Sequence, residues 1–282
     1  MGNHRGVAVI ARAFGNTGLM VSPLGIGCVK WGRNQGVKYG SFDLPSDAVI
    51  EQLLDLAMTH GVNVLDTAPA YGISEERIGN LLGGVSGRRE KFCIFTKTGE
   101  IFSDGKSSYD FTAEHTRASV EQSLRRLRTD CLDGVMVHCP ADDLGTLRDT
   151  PVLETLQALK QQGKVRTVGA SIMTIDGGMY AVERCDAVMV AFNYGFDQHV
   201  PVIEAAAKRG RGILLKKVFY SGALPPAAQA GGGIEVSTPA EVCVHAALRL
   251  PGNPVVVTGT MSASHLRQNI DAVRSFSSLE RV

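Results

Sequence analysis

Four side chains that could act on a carbonyl group stand at or just after the ends of apolar runs in the first half of the sequence: Asp66, Tyr71, Lys97 and His138. A carbonyl that accepts a hydride develops negative charge on its oxygen and needs a proton donor, but a free phenol, with a pKa of about 10, is a poor acid at neutral pH. A nearby ammonium lowers the pKa of a phenol, and a carboxylate keeps the ammonium charged. Asp66, Lys97 and Tyr71 could therefore form a proton-donating unit, with His138 hydrogen-bonded to the carbonyl oxygen.

The same runs belong to a regular alternation of strand-like and helix-like stretches. Short stretches rich in Val and Ile predict strands at residues 23–29, 62–67, 92–98, 132–138, 165–171, 187–193, 212–218 and 254–260. Stretches with helical spacing predict helices at residues 47–59, 75–82, 113–127, 151–162, 176–184, 200–208, 239–250 and 262–275. Residues 1–14 are expected to form a leading strand or hairpin. Gly61, Gly163 and Gly210 mark expected helix ends, because glycine accepts the left-handed conformation there.

Strict alternation of strands and helices leaves two main architectures, a closed barrel and an open doubly wound sheet. Several predicted strands are apolar throughout, as expected of parallel strands buried on both faces. An open sheet would place a G-x-G-x-x-G motif after its first strand, and the nearest match, residues 25–30, lacks the third glycine. We therefore predict an α/β fold in which residues 1–282 form a single (β/α)8 barrel domain. Polar residues at the carboxyl ends of barrel strands face one mouth, where the four side chains are expected to meet.

The composition narrows the classes of partner. Lys and Arg total 29 against 28 Asp and Glu, and the resulting formal net charge of +1 provides no field to attract nucleic acid or an anionic membrane. The longest apolar stretches are shorter than the roughly 18 residues that a membrane span requires. Six cysteines without a C-x-x-C pair predict reduced thiols in a cytoplasmic protein, with no metal site and no disulfide framework. We expect a small-molecule substrate, and the oligomeric state stays open.

The order and spacing of these residues resemble the motifs of the aldo-keto reductase family from about residue 14 to the last helix. Residues 66–79 resemble the family's D-T-A-x-x-Y-G-x-S-E-x-x-x-G, residues 96–97 its T-K, and residues 138–140 its H-x-P. Residues 15–22 resemble its G-x-T-G-L-x-V-S hairpin, and residues 259–269 its cofactor-binding segment. The resemblance implies that Asp66, Tyr71, Lys97 and His138 are a catalytic tetrad with Tyr71 as the acid. It implies hydride transfer from a nicotinamide to an aldehyde or ketone.

The resemblance also indicates where an extended NAD(P)H molecule binds across the mouth without a Rossmann motif. Two amide side chains that the family places beside the nicotinamide are replaced here by Ile172 and Met189. Trp31 follows the first strand, where an amphipathic indole suits a pocket, and is expected to contact the substrate. The expected cofactor contacts come from strand ends and from the start of the last helix: Gly27, Ser171, Lys216, Phe219, Ser221, Gly259, Thr260, His265, Arg267 and Asn269.

The start of the last helix offers one permanent cation, Arg267, with His265 nearby, for the 2′-phosphate of the cofactor. This predicts NADPH as the cofactor, with a modest preference over NADH. Substrate contacts are expected from the loops at residues 31–42 and 101–111, and from a glycine-rich segment at residues 225–236 that is either a flap or an ordinary surface loop.

Two other functions remain open at this point. Barrels also host Schiff-base aldolases and lyases, which need a mouth lysine of lowered pKa, and Lys97, Lys216 and Lys217 are candidates. An acid paired with Lys97 would oppose that chemistry by keeping the amine charged. The replacements at Ile172 and Met189 also allow a regulatory subunit of the same fold that senses the cofactor but turns over poorly.

Overall fold

Eight parallel strands of the chain close into a barrel, with helices between them. The structure is a computed structural model, and it describes residues 8–37, 40–220 and 238–279. The described strands are β1 Arg12–Ala13, β2 Met20–Val21, β3 Leu24–Gly27, β4 Val64–Asp66, β5 Cys93–Thr98, β6 Glu100–Ser103, β7 Lys106–Tyr109, β8 Leu132–His138, β9 Val165–Ser171, β10 Ala187–Ala191, β11 Gly212–Lys216 and β12 Val255–Gly259.

The described helices fill the intervals between the barrel strands. They are α1 Asp47–His60, α2 Ser74–Gly83, α3 Ala113–Leu127, α4 Asp143–Asp149, α5 Val152–Gln161, α6 Ile175–Arg184, α7 Val200–Lys208, α8 Pro239–Leu248 and α9 Ala263–Leu279. Short 3-10 turns lie at Val29–Trp31, Pro69–Tyr71 and Arg89–Lys91. The barrel runs β3-β4-β5-β8-β9-β10-β11-β12, and β12 pairs with β3 to close it. None of the helices within the described ranges is long and apolar enough to cross a membrane.

The strands bury apolar side chains on both of their faces. Outward-facing side chains join the helices in one large cluster, and inward-facing ones, such as Phe95 and Met189, fill the barrel interior. The hairpin of β1 and β2 adds Phe14 and Leu19 to the interior cluster. The amide of Asn16 in this hairpin donates to the carbonyl oxygen of Gly210, just before β11 begins (2.7 Å). The hairpin therefore closes the amino-terminal end of the barrel and leaves the opposite end as the mouth.

The barrel and its strand order confirm the predicted fold class. All eight predicted strands exist: those at residues 132–138 and 165–171 have the predicted limits, and the other six are shorter by one to three residues. The helices at residues 113–127 and 200–208 also have the predicted limits. Gly61, Gly163 and Gly210 all adopt positive φ, as expected of helix ends. The hairpin of β6 and β7 and the helix α4 were not predicted.

The carboxyl ends of the barrel strands carry most of the residues singled out by the sequence. The last residues of six strands are Gly27, Asp66, His138, Ser171, Lys216 and Gly259, and Lys97 is the penultimate residue of β5. Because the strands are parallel and closed in a ring, these residues share one end of the barrel. The fold thus brings chemically different side chains from distant parts of the sequence to a single mouth.

Candidate active site

The centre of the mouth is an ion pair that lies against a tyrosine. The Nζ of Lys97 donates to Asp66 Oδ1 (2.5 Å) and to the carbonyl oxygen of Thr67 (2.9 Å). The same ammonium lies 4.7 Å from the ring centroid of Tyr71 and interacts with its hydroxyl. The Lys97 side chain is only 1% exposed, so this charge depends on its protein partners. The predicted grouping of carboxylate, ammonium and phenol is present in the structure.

Two glycines fix the turn that carries Tyr71. Gly72, directly after the 3-10 turn Pro69–Tyr71, has a φ of +63°, a region that side-chain-bearing residues rarely adopt. A Cβ added to Gly72 would lie 2.2 Å from the carbonyl oxygen of Gly32, and one added to Gly32 would lie 2.3 Å from the carbonyl oxygen of Tyr71. The loops after β3 and β4 therefore pack backbone against backbone, which holds the phenol over the mouth.

Burial dominates the acidity of the phenol. It raises the pKa of Tyr71 to about 12, although the Lys97 ammonium acts in the opposite direction. The lowering expected from the Lys97 ammonium is present, but desolvation of the phenolate outweighs it, so the net pKa of Tyr71 is raised. For Lys97, burial lowers the pKa, but Asp66 and then Tyr71 more than offset this and the net pKa is raised. At neutral pH the site holds a protonated phenol beside a charged ammonium.

His138 lies across the mouth from these groups. Its ring meets the Tyr71 ring edge to face, with the centroids 6.0 Å apart. Its Nδ1 lies 2.7 Å from Oε2 of Glu100, the first residue of the hairpin strand β6. Burial lowers the pKa of His138, Glu100 opposes this, and the Lys97 and Lys216 ammoniums add to the lowering. The imidazole is therefore mainly neutral at neutral pH.

Lys216 brings a second ammonium into the mouth from β11. Its Nζ donates to Ser171 Oγ (2.8 Å) and to the carbonyl oxygen of Ile172 (3.0 Å) at the end of β9. Burial, followed by the neighbouring Lys217, lowers the pKa of Lys216 to about 8. The charge of this lysine is therefore sensitive to pH in the neutral to mildly alkaline range.

A cavity of about 390 Å³ opens over this group of residues. Its lining includes Gly27, Asp66, Tyr71, His138, Lys216, Phe219 and Gly259 from the predicted set. Gly27 and Gly259 are direct neighbours in the register of β3 and β12, and neither places a side chain in the cavity. The two glycines let a ligand approach the backbone closely on one side of the cavity, and the Lys216 ammonium and the Phe219 ring lie in the remaining lining. Such a lining fits a ligand with a flat aromatic ring and phosphate groups. The residues at this mouth therefore fit a nicotinamide dinucleotide.

The structure corrects one predicted substrate contact. Trp31 is fully buried, and its Nε1 donates to the carbonyl oxygen of Thr260 (3.1 Å). The indole thus ties the turn after β3 to the end of β12 and belongs to the core, not to the cavity lining. Sequence could place Trp31 after the first strand, but the direction of its side chain depends on how the loops pack.

The predicted cofactor residues at the end of the chain fall into two groups. Thr260 and Asn269 are buried, and their side chains bond within the fold: Thr260 Oγ1 with the backbone of Ser262, and Asn269 Nδ2 with Thr258 Oγ1. His265 and Arg267 are exposed in the first turns of α9, outside the cavity lining. The predicted contact at Ser221, like the glycine-rich segment at residues 225–236, lies outside the described residues.

Two residues at the site were not predicted as members of it. Glu100 meets His138 from the hairpin strand β6, and Arg33 in turn contacts Glu100 (Nη1 to Oε1, 3.3 Å) and the carbonyl oxygen of Ala70 (3.2 Å). The signal available in sequence was an acidic residue directly after the T-K-T-G stretch that ends a predicted strand. It gave no indication that the chain turns back over the mouth at Gly99, where φ is +103°.

Comparison with known proteins agrees with this geometry. The family model described as the Aldo/keto reductase family matches residues 23–234. The chain belongs to this family. As an aldo-keto reductase, the protein is an oxidoreductase of carbonyl compounds, and members of the family use nicotinamide cofactors.

Relatives of this aldo-keto reductase include sugar dehydrogenases and solved bacterial structures. L-galactose dehydrogenase of Arabidopsis thaliana is 31% identical over 225 residues, which are 76% of this chain and 66% of the relative. D-threo-aldose 1-dehydrogenase of a Pseudomonas species is 30% identical over 237 residues, which are 73% of this chain and 68% of the relative. The alignments thus span about two thirds of the length of each relative. A Pseudomonas aeruginosa protein assigned to the aldo-keto reductases superposes with a TM-score of 0.83 at 39% identity, covering 96% of this chain and 98% of its own.

Proposed function

We propose that this aldo-keto reductase reduces an aldehyde or ketone to an alcohol with NADPH, and that Tyr71 donates the proton. The observation that carries the proposal is the Lys97 ammonium held between Asp66 and Tyr71 at the floor of the mouth (Nζ to Oδ1, 2.5 Å). Burying a charged group to this extent costs folding free energy that pairing only partly offsets. Clusters of titratable groups with perturbed pKa values in a cleft are typical of catalytic sites.

Each residue has a separate task in this proposal. The bound nicotinamide supplies the hydride. Tyr71 gives its proton to the carbonyl oxygen as negative charge develops there, and the Lys97 ammonium stabilises the phenolate that remains. Asp66 keeps Lys97 charged and fixes the position of Nζ. His138 stands beside the phenol and contacts the oxygen-bearing end of the substrate.

The cofactor is proposed to lie along the β12–β3 side of the mouth and toward β11. Gly27 and Gly259 allow its close approach, and Phe219 offers an aromatic face. Lys216 and Ser171 offer polar contacts in place of the two amide side chains that Ile172 and Met189 replace. Gly259 and Thr260 lead into α9, whose exposed Arg267 and His265 are the proposed contacts of the 2′-phosphate. A single Arg there supports a modest preference for NADPH.

The test is steady-state consumption of NADPH with a panel of aldehydes, ketones and open-chain sugars. Sugars belong in the panel because two relatives are named as sugar dehydrogenases. Turnover that Tyr71→Phe slows by roughly two to four orders of magnitude, with cofactor binding retained, supports the proposal. Tight NADPH binding without turnover of any substrate would instead support the regulatory subunit of the same fold, which the replacements Ile172 and Met189 allow.

One observation keeps a Schiff-base lyase in view as a second candidate. Lys216 has the lowered pKa, about 8, that a nucleophilic amine requires, and it lines the cavity. Lys97 does not meet this condition, since its pKa is raised and it stays charged. Borohydride trapping with a carbonyl substrate separates the two functions, because only a covalent imine is captured. We expect no adduct at Lys216.

A further inference from the structure

Arg33 connects three loops at the edge of the mouth. Its side chain is only 10% exposed and follows the 3-10 turn after β3. Nε donates to the carbonyl oxygen of Gln35 (2.9 Å) and Nη2 to that of Gly36 (3.1 Å), both in its own loop. Nη1 donates to the carbonyl oxygen of Ala70 (3.2 Å), in the turn after β4, and to Oε1 of Glu100 (3.3 Å) in β6. The guanidinium therefore fixes three separate segments relative to one another.

The hairpin of β6 and β7 meets this guanidinium in two directions. Glu100 and Phe102 are two residues apart in β6, so they lie on the same face of the strand. The Glu100 carboxylate contacts Nη1, and the Phe102 ring stacks on the guanidinium, with its centroid 3.4 Å from Cζ of Arg33. Oε1 of Glu100 also accepts from Ser107 Oγ of β7 (2.5 Å). Both strands of the hairpin are thus tied to Arg33 through its planar fork of donors, which a lysine does not offer.

The loop of Arg33 also holds the turn that carries Tyr71. Ala70, whose carbonyl oxygen accepts from Nη1, directly precedes Tyr71, and Gly72 directly follows it. Gly72 packs against the backbone of Gly32, the residue before Arg33. Both chain neighbours of Tyr71 are therefore held by residues 32 and 33, so the backbone of Tyr71 cannot turn independently of the loop after β3.

The contact between the Tyr71 hydroxyl and the Lys97 ammonium depends on this placement. Tyr71 comes from the turn after β4 and Lys97 from β5, so the backbone of the turn decides whether the two groups meet. A displacement of about 1 Å in such a contact can slow catalysis about a hundredfold. We propose that Arg33 is a positioning residue for the proton donor, which holds Ala70 and the hairpin so that the Tyr71 hydroxyl stays against Lys97 Nζ. The proposal deepens the proposed function and rests on it for the role of Tyr71 as the acid.

The variant Arg33→Ala tests the placement of the phenol without any turnover. Protein labelled with 13C at the Cζ of tyrosine gives NMR signals for its six tyrosines, and the signal of Tyr71 is identified by its absence in Tyr71→Phe. The variant Lys97→Met marks the position of this signal when the ammonium is gone. In Arg33→Ala, without ligand at neutral pH, we expect the Tyr71 signal to move from its parent position toward its position in Lys97→Met.

The matched control is Arg88→Ala, because Arg88 makes similar contacts far from Tyr71. Its side chain is 5% exposed and contacts two carboxylates of α1 and a backbone carbonyl of α2: Glu51, Asp55 and Leu81. Arg88 precedes β5, at the end of the barrel opposite the mouth. The Tyr71 signal is expected to keep its parent position in this variant. An unmoved Tyr71 signal in a folded Arg33→Ala protein, or an equal shift in Arg88→Ala, overturns the proposal.

The milder variant Arg33→Lys covers the case in which Arg33→Ala does not fold. An ammonium can pair with Glu100, but it cannot also bind the Ala70 carbonyl and stack on Phe102. We expect the Tyr71 signal to shift in the same direction as in Arg33→Ala, by a smaller amount. If Arg33→Ala does not fold and Arg33→Lys keeps the parent signal, the proposal is overturned, because a positive charge alone would then suffice.

Steady-state kinetics separate positioning from a purely structural role. Arg33→Ala is expected to lower kcat by about tenfold to a hundredfold at unchanged NADPH affinity, because Arg33 lies outside the cavity lining. Arg88→Ala is expected to keep the parent kcat while losing stability in urea. An Arg33→Ala protein that keeps the parent kcat although its Tyr71 signal has moved contradicts the proposal. A parent protein that turns over no carbonyl contradicts the proposed function instead, and the NMR result then still decides whether Arg33 holds Tyr71 against Lys97.

Discussion

The hydroxyl of Tyr71 has a raised pKa and contacts the Lys97 ammonium. Replacing Tyr71 with Phe removes only this hydroxyl, so the variant measures its chemical role alone. In Tyr71→Phe the ring packing against His138 and Lys97 is retained, and the chemical step is expected to slow by roughly two to four orders of magnitude through loss of general-acid catalysis. Single-turnover rates and NADPH affinity measure the two effects separately. Tyr109→Phe, which removes a hydroxyl from the same cavity away from Lys97, is the control. Near-normal turnover in a folded Tyr71→Phe protein contradicts the mechanism.

Lys97 contributes to stability as well as to chemistry. Lys97→Met leaves Asp66 buried without its partner, and urea unfolding is expected to show a loss of about 3–5 kcal/mol. Since the folded-state pKa of Lys97 is raised above its ordinary 10.5, this contribution is fully present below that pH and is lost only at higher pH. The loss is therefore expected to be constant between pH 6 and 9. Adding Asp66→Asn to Lys97→Met should recover part of the lost stability, because it removes the unpaired buried charge. A double variant no more stable than Lys97→Met would contradict a stabilising buried ion pair between Asp66 and Lys97.

The pKa of Lys216 is shifted in the opposite direction to that of Lys97: in the folded state it is lowered to about 8. If its ammonium holds an anionic part of the cofactor, NADPH affinity is expected to fall by about tenfold between pH 7 and 9 as the charge is lost. Lys216→Arg keeps a permanent charge, so its affinity is expected to stay flat over that range. Isothermal titration at several pH values measures both. A parent protein whose affinity does not change with pH excludes a charge contact from Lys216.

At the scale of elements, the turn that carries Tyr71 depends on a glycine. Gly72→Ala forces a side chain into a positive φ and against the Gly32 carbonyl, so we expect lower kcat together with a loss of stability greater than about 1 kcal/mol. Gly87→Ala is the matched control, because Gly87 has a similar φ of +73° but nothing within 4 Å of an added Cβ. If both variants lose the same stability and keep kcat, the contact between the two loops does not position Tyr71.

The elements also show what sequence could predict. Buried parallel strands are apolar throughout, so the number of barrel strands and their order along the chain could be predicted from the apolar runs of the sequence. The polar residues at the carboxyl ends of these runs indicated the mouth of the barrel. The hairpin of β6 and β7 lacks that signal, since β7 is exposed along its whole length and its residues Lys106–Tyr109 show no alternation. Glu100 was missed with it. Trp31 was misplaced for a related reason, because loop packing and not strand pattern decides whether an indole is buried.

At the scale of the whole molecule, charge is nearly balanced, with 29 basic against 28 acidic residues. A protein with so little net charge does not concentrate anions at its surface, so any selection of NADPH over NADH must come from local cations. The exposed Arg267 of α9 can supply a bidentate contact to a 2′-phosphate.

We expect the parent protein to prefer NADPH by about tenfold, which corresponds to about 1.4 kcal/mol. In Arg267→Ala this preference should largely disappear, through weaker NADPH binding at unchanged NADH affinity, because only NADPH carries the 2′-phosphate. Arg117→Ala, on the exposed side of α3, makes the same change in net charge elsewhere and is expected to leave the preference intact. Dissociation constants for both cofactors at low and moderate salt decide the matter. Equal losses in the two variants would assign the preference to overall charge, and an unchanged preference in Arg267→Ala would move the phosphate contact to another residue while leaving the roles of Asp66, Lys97 and Tyr71 untouched.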